Sequence, residues 1–419
     1  MKTKRISVFF KIALITIIST FLFFSCGEKT SKDLEIFTWW TAGGEAEGLE
    51  AMKEIFIKKY PGINFINAAV AGGAGTNAKA VLKTRMQGGD PPDSFQIHAG
   101  HELIDTWVVT DMMEPITFIF KDNNYLDKYP KDLIDIISYK GQIYSVPVNI
   151  HRSNVLWYNK KVLRDNNTTV PSSLDEFFQV GNKLKSNGII PLALAENWTN
   201  SHLFESILLG SLGPDKYNGL WDGKTVWDSA EVKKAIQNFV KVLDYANSDF
   251  SALSWEQAAQ YVIDGKAAMY IMGDWAEGYF KAKGLTPGKE FGWVTAPGTK
   301  GSFMMLSDSF CLPKNAPNRA NVIKWLTVCA SKEGQDAFNP IKGSIPSRTD
   351  GDKSLYDAYL KSAMADFASD KIVPSVMHGA AASEAWMEDY NNIITLLVVE
   401  KDVDKAVNKF VKAAKENLK

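Results

Sequence analysis

The stretch LEIFTWWTAGGEAEGLEAMKEIFIKKYPGINFINAAV, Leu34–Val70, decides the fold class. Leu34 to Trp40 is a short apolar run, the pattern of a buried strand. Leu49, Met52, Ile55, Phe56 and Lys59 then recur at helical spacing between Glu45 and Tyr60, and Pro61-Gly62 ends that helix. Ile63 to Val70 reads as a second strand. Gly72-Gly73-Ala74-Gly75 turns into a helix over about Asn77 to Gln87. Asp93 to Ile97 is a third strand, with a helix following Gly100. Strand, helix, strand, helix is the rhythm of a doubly wound α/β lobe.

Outward from this unit the pattern continues with fewer strands. Gln142 to His151 (QIYSVPVNIH) is expected as one strand, and Pro147 inside it fits an edge or crossover strand better than a central one. Helices and loops dominate from Ser172 to Lys283. Phe303 to Leu312 is strand-like. Asn318 to Phe338 reads as one amphipathic helix with Val322, Trp325, Leu326 and Cys329 on one side, and Asp402 to Leu418 closes the chain with another.

The chain has 419 residues, 45% hydrophobic and 23% charged, which excludes a disordered tail and a polytopic membrane protein. That length asks for two domains or two lobes. A formal charge of -1 offers no basic face for nucleic acid. The N-terminus carries Lys2, Lys4, Arg5 and Lys11 without an acid, then the uncharged run Ile12 to Ser25 (IALITIISTFLFFS). This is the pattern of an export signal over residues 1–25. Cys26 directly after the apolar core is similar to a bacterial lipobox, in which the cysteine is lipidated after cleavage. Leu22, Phe23 and Phe24 depart from the usual box, and Ser25 fits it. Residues 26–33 then form the lipidated cysteine and a polar tether; an uncleaved anchor helix and a plain secretory signal are the alternatives. Removing residues 1–25, with four basic residues and no acid, leaves 394 residues and shifts the formal charge from -1 to -5. Cys311 and Cys329 remain besides Cys26, and both are expected as buried thiols, because a domain of this size needs no disulfide staple.

Catalytic patterns are weak. His98, His101 and Glu102 form HxxHE, which matches neither zinc-protease arrangement. The AGGAGTN loop, Ala71 to Asn77, lacks the Lys-Ser/Thr of a phosphate loop, although its amides suit a polar ligand. No G-x-S-x-G elbow is present. The twelve tryptophans are more informative. Several stand beside polar residues: Trp39-Trp40 before Thr41, Asn197-Trp198-Thr199, Ser254-Trp255 and Gly273-Asp274-Trp275. A sugar ring has an apolar C–H face that indole covers and hydroxyls that need amides, carboxylates and lysines. A buried unpaired hydroxyl costs about 1–3 kcal/mol, so such a pocket needs a dense polar fan.

From Leu34 to Ala414 the chain resembles the extracellular solute-binding proteins (family 1) of carbohydrate ABC importers, and among them the glucose/mannose-binding proteins. The blocks that carry the resemblance are EIFTWW, GGAGTNAKAVLKTRMQGGDPPDSFQIHAG, SYKGQIYSVPVNIHRSNVLWY, ALAENWT, GKAAMYIMGDWA, FMMLSDSF, SKEGQDAFNPIKGSI and VMHGA (Val376–Ala380). The resemblance implies an α/β, two-lobed periplasmic-binding-protein-like fold of type II, with a cleft between lobes joined by a multi-strand hinge. One lobe takes 34–148 plus 298–342, the other 149–297 plus 343–419.

The resemblance further implies that Trp39, Trp40, Glu45, Gln96, His98, Trp255, Trp275, Asp308, Lys342 and His378 bind the sugar, with Asn197, Trp198 and Arg152 of second rank. Glu45 matches across one extra residue. Asp308 pairing with Lys342 as a plain salt bridge is the structural alternative for that pair. Lys83, Arg85 and Asp93 are expected to be structural. The implied protein is a monomer without cofactor, metal or catalysis. It binds a hexose such as glucose or mannose, docks on the permease of an ABC importer, binds no nucleic acid, and meets the membrane only through its lipid anchor in the periplasm or at the cell surface. An exported glycoside hydrolase and a passive surface lipoprotein are the rival classes. Two further expectations follow: Asp308→Ala abolishes binding and leaves the fold intact, and affinity changes as pH crosses about 6 to 7 if His98 and His378 touch the sugar.

Overall fold

The structure is a computed structural model and describes residues 32–418. The expected signal and Cys26 lie outside the described residues. The first lobe-forming unit runs β1 (Asp33–Thr38), the helix Gly43–Lys59, β2 (Asn64–Ala69), the helix Thr76–Gln87 and β3 (Ser94–His98). Leu49, Met52 and Phe56 are the buried face of its first helix, as their spacing predicts. Five short strands follow: β4 (Ser138–Tyr139), β5 (Gln142–Ile143), β6 (Ser145–Pro147), β7 (His151–Arg152) and β8 (Val155–Asn159). The single strand expected over Gln142 to His151 is therefore divided in three. Then come β9 (Ile190–Ala193), β10 (Ala267–Ile271), β11 (Phe291–Thr295), β12 (Ser302–Leu306), β13 (Asp308–Cys311) and β14 (Lys371–Pro374).

One sheet has the order β2-β1-β3-β13-β6. Its first three strands are parallel, which is what the strand–helix–strand rhythm requires. β13, from far along the chain, joins antiparallel to β3, and β6 pairs antiparallel with β13 and so runs in the direction of the first three. Pro147 ends β6 at the edge of this sheet, where its missing N–H costs no ladder bond. A second sheet has the order β11-β8-β10-β9, and a third β14-β12-β7. The expected strand over Phe303 to Leu312 breaks at Ser307, whose hydroxyl donates to the Asn149 carbonyl at 2.6 Å. On one side of the break β12 joins the third sheet, and on the other β13 joins the first.

The helix expected over Asn318 to Phe338 is likewise two, Arg319–Ala330 and Lys332–Lys342. Ser331 stands extended between them and accepts from the Gly334 amide at 3.0 Å, an N-cap that restarts the helix. Helical periodicity cannot see a cap that falls in phase with the apolar stripe. Trp325 is fully buried and packs edge-on against Phe56 and Phe310. Cys311 and Cys329 are buried free thiols, as expected. Arg85 holds Glu35 in a two-bond fork. Asp93 accepts from the Glu35 amide at 2.8 Å, so Arg85 and Asp93 are both structural. Among the described residues no helix is long and apolar enough to cross a membrane.

Candidate functional site

Three sequence devices deliver side chains to one cavity. β1 runs straight into Trp39-Trp40. Ser254 and Gln257 form a capping box that starts the helix Trp255–Ile263, which sets Trp255 at its first position. Lys342 ends the helix Lys332–Lys342, where a cation complements the helix dipole. Gly343, at φ +82°, closes that helix. The cavity is small, with a volume of about 50 Å³.

Nine of the ten expected residues line this cavity: Trp39, Trp40, Glu45, His98, Trp255, Trp275, Asp308, Lys342 and His378. Gln96 stands behind it. Its amide nitrogen donates to Asp308 Oδ1 at 2.8 Å and its oxygen accepts from the Trp39 amide at 3.2 Å. Of the second-rank residues Trp198 lines the cavity. Arg152 is buried elsewhere, pairing with Asp366 and, at 3.0 Å, with Asp370. Asn197 opens the helix Asn197–Gly219 and is not among the lining residues. Thr41, His151, Glu256, Leu306 and the Gly72–Ala74 loop also line the cavity. The loop was visible as a turn with free amides. His151 was visible only as a histidine ending an apolar run, and Glu256 carried no signal beyond standing next to Trp255.

Asp308 is the electrostatic centre. It accepts from Gln96 and from the Asn149 side-chain amide, both at 2.8 Å, and its own amide donates to Asn149 Oδ1 at 2.8 Å. His151 Nε2 lies 3.4 Å from Asp308 Oδ2, and Nδ1 of the same ring bonds Asp274. Burial opposes ionisation of Asp308, but the His151 contact and the Lys342 charge outweigh it and hold the carboxyl far below its ordinary range. For His151, burial and Lys342 push the pKa down; the two flanking carboxylates prevail and raise it.

Lys342 does not pair with Asp308. Its ammonium meets Glu45 at 2.9 Å and lies 5.6 Å from the ring of Trp40 and 5.9 Å from that of Trp275. At those separations the cation is drawn to the indole faces. His98 Nδ1 lies 2.8 Å from Glu102 Oε2, which also takes Lys79 at 2.8 Å. Burial would raise the Glu102 carboxyl; Lys79 and His98 lower it to about 2. An ionised carboxylate only accepts, so His98 Nδ1 carries a proton and the Nε2 edge is left to the cavity. HxxHE thus positions a histidine and holds no metal with His101, whose Nδ1 bonds Asp105 on the surface.

The aromatic side is built by close approach. Gly75 has φ +73° and lies under Trp39, where a Cβ would come within 2.8 Å of the indole. Only glycine takes up that conformation and that space together. Trp198 and Trp275 are tilted against each other with centroids 6.3 Å apart, and His378 stands edge-on to both.

A bacterial extracellular solute-binding protein family matches residues 42–336. The chain belongs to that family. The solute-binding protein is 40% identical over 394 residues to an uncharacterized ABC transporter extracellular-binding protein of Pyrococcus horikoshii, covering 92% of this chain and 88% of the relative. It is 33% identical over 416 residues to a probable sugar-binding periplasmic protein of Mesorhizobium japonicum, covering 96% and 98%. Its fold superimposes with a TM-score of 0.82 on the bacterial solute receptor AcbH, which is described as preferring β-D-galactopyranose, at 17% identity over 92% of this chain and 99% of the receptor. The fold is therefore the two-lobed α/β architecture of solute-binding proteins, as expected from sequence.

Proposed function

We propose that this solute-binding protein is the sugar-binding lipoprotein of an ABC importer, taking a monosaccharide such as glucose or mannose. The observation that carries the reading is the lining itself. Five tryptophans (Trp39, Trp40, Trp198, Trp255, Trp275) converge with Asp308, Glu45, Lys342 and three histidines around one small cavity. Indole faces match pyranose C–H faces, and the charged groups match the hydroxyls. The relative described as sugar-binding, similar along nearly all of its length, supports the same class.

In this reading residues 1–25 are an export signal, Cys26 is lipidated, and 26–33 tether the body outside the cytoplasm. The lobes are 34–148 plus 298–342 and 149–297 plus 343–419. Three segments that run side by side support a multi-strand hinge: Ile150 bridges Ile345, and His151 pairs Leu306. Sugar contacts to both lobes exist only in the closed form, so binding shifts the population toward closure, and the closed monomer docks on the permease. No catalysis is assigned. Glycoside hydrolysis takes two carboxyls working as a pair. Asp308 has both oxygens engaged and Glu45 is paired with Lys342, which leaves Glu256 in the lining without a second free carboxyl.

The test is titration calorimetry and tryptophan fluorescence of the mature protein with D-glucose, D-mannose, D-galactose and a glucose disaccharide, the sugar being followed by chromatography. Saturable binding of a monosaccharide recovered intact is expected. Turnover of a glycoside, or no response to any sugar, overturns the reading. Mass spectrometry of the mature N-terminus checks Cys26.

A further inference from the structure

His378 ends a turn that leaves β14 at Ser375 and carries the imidazole to the cavity. That turn hangs on one carboxylate. Glu205, fully buried in the helix Asn197–Gly219, accepts at Oε1 from Ser153 Oγ at 2.7 Å and from Ser375 Oγ at 2.9 Å. Its Oε2 accepts from the Val376 and Met377 amides at 2.9 and 3.1 Å. Less than one helical turn earlier, His202 Nδ1 lies 3.2 Å from His378 Nε2, 3.3 Å from Ser153 Oγ and 3.7 Å from Glu205 Oε1.

Burial raises the Glu205 carboxyl to about 7; in its ionised form it only accepts, and the proton positions follow from that. Ser153 gives its hydroxyl hydrogen to Glu205, so toward His202 it offers lone pairs. His202 Nε2 is buried with no partner. An orphaned lone pair is tolerated better than an orphaned N–H, so the His202 proton belongs on Nδ1. Nδ1–H then donates to His378 Nε2. That nitrogen is an acceptor, and the proton of neutral His378 is left on Nδ1, which meets no protein partner among the described residues. Burial, reinforced for His378 by neighbouring histidines, keeps both rings neutral, taking His202 down to about 3 and His378 well below its ordinary value.

We propose that His202 and Glu205 are positioning residues that lock His378 into its Nδ1–H form, making it a hydrogen-bond donor to a sugar oxygen. This rests on the sugar-binding reading for its purpose, not for its geometry. One ligand atom from each of His202, Glu205 and His378 also lies within 4.8 Å of the others, a separation open to a divalent cation. The bonding decides against one. Both oxygens of Glu205 already accept from two or more donors, and a metal would have to displace those that hold the turn.

The test is nitrogen-15 NMR of the histidine rings in the mature chain, with D-glucose titration. Expected are Nδ1–H forms of His202 and His378. In His202→Leu, the His378 proton moves to Nε2 and D-glucose affinity falls about tenfold or more. In His202→Asn, whose amide replaces the Nδ1–H donor, tautomer and affinity are kept. Glu205→Gln weakens affinity by loosening the turn. An Nε2–H form of His378 in the unaltered protein overturns the proposal. So does a His202→Leu variant that loses thermal stability without changing the His378 tautomer, or stoichiometric zinc whose removal by chelator shifts the His378 signals. If no sugar binds while the Nδ1–H form is seen, the lock stands and the sugar-binding reading falls.

Discussion

The two sides of the cavity are made of different physics. The side fed by β1, β3 and β13 is ionic. Asp308 is closed in by Gln96, Asn149 and His151, Glu102 by His98 and Lys79, and Glu45 by Lys342. The side fed by the helices at Asn197, Trp255 and Trp275 and by the Ser375–His378 turn is aromatic and largely neutral, with Trp198, Trp275, His202 and His378 edge to face. On the ionic side a single group serves several buried partners, so removing it leaves charges unpaired and costs fold as well as ligand. On the aromatic side each ring contributes area, and truncation is felt mainly by the ligand.

The largest expected effect is Asp308→Ala. It removes D-glucose binding from the calorimetric range. It also lowers stability in urea unfolding by about 3–5 kcal/mol, because Gln96, Asn149 and His151 are left facing an empty acceptor site. The fold is still expected to form, with lower stability, because Asp308 is buried among those partners. Unchanged affinity would take Asp308 out of the site, and an unchanged urea midpoint would erase the contrast between the two sides.

Trp275→Phe tests the aromatic side. Affinity should drop about tenfold, with a smaller stability loss than Asp308→Ala. A stability loss as large as that of Asp308→Ala would show the ring to be core first.

The smallest effects concern pH. His378 is held neutral by burial, so it does not titrate in the ordinary histidine range. Its own titration therefore adds nothing to the affinity–pH curve from about pH 5 to 8, contrary to the expectation from an ordinary histidine; the Glu205 carboxyl beneath its turn, raised by burial to about 7, is the group that titrates there. A His378→Asn variant should leave the shape of the affinity–pH curve unchanged; a lost inflection near neutral pH would refute this. Stability has its own windows. Glu102, lowered from 4.5 to about 2, contributes stability above pH 4.5 that disappears as pH falls toward 2. His151 is raised, so its contribution is complete below its ordinary value and is lost as pH rises past the raised one. Thermal midpoints across pH should show the acid loss reduced in Glu102→Gln.

Much of this was legible in the letters because it is local. A strand ending in Trp39-Trp40 and a glycine turn at residues 72–75 announce themselves within a few residues. The family resemblance assigned Asp308, Lys342 and His378 to the site, positions that local pattern alone would have left as ordinary polar residues. Gln96 shows the limit: alternation places its side chain, and only packing shows that it faces Asp308 and not the cavity.

What the sequence by itself determined was the parallel β1–β2–β3 unit, which follows from periodicity; proline's missing N–H kept Pro147 out of a sheet centre, and the family resemblance placed the tryptophans of the cavity. The tertiary structure decided the partners. Ser307 switches the chain between sheets, Ser331 divides a helix, His151 comes to lie between Asp274 and Asp308, and Glu205 reaches 170 residues along the chain to hold Ser375. Those contacts depend on how distant segments meet in a water-poor interior, where a hydrogen bond or a charge is worth what its three-dimensional neighbours make of it.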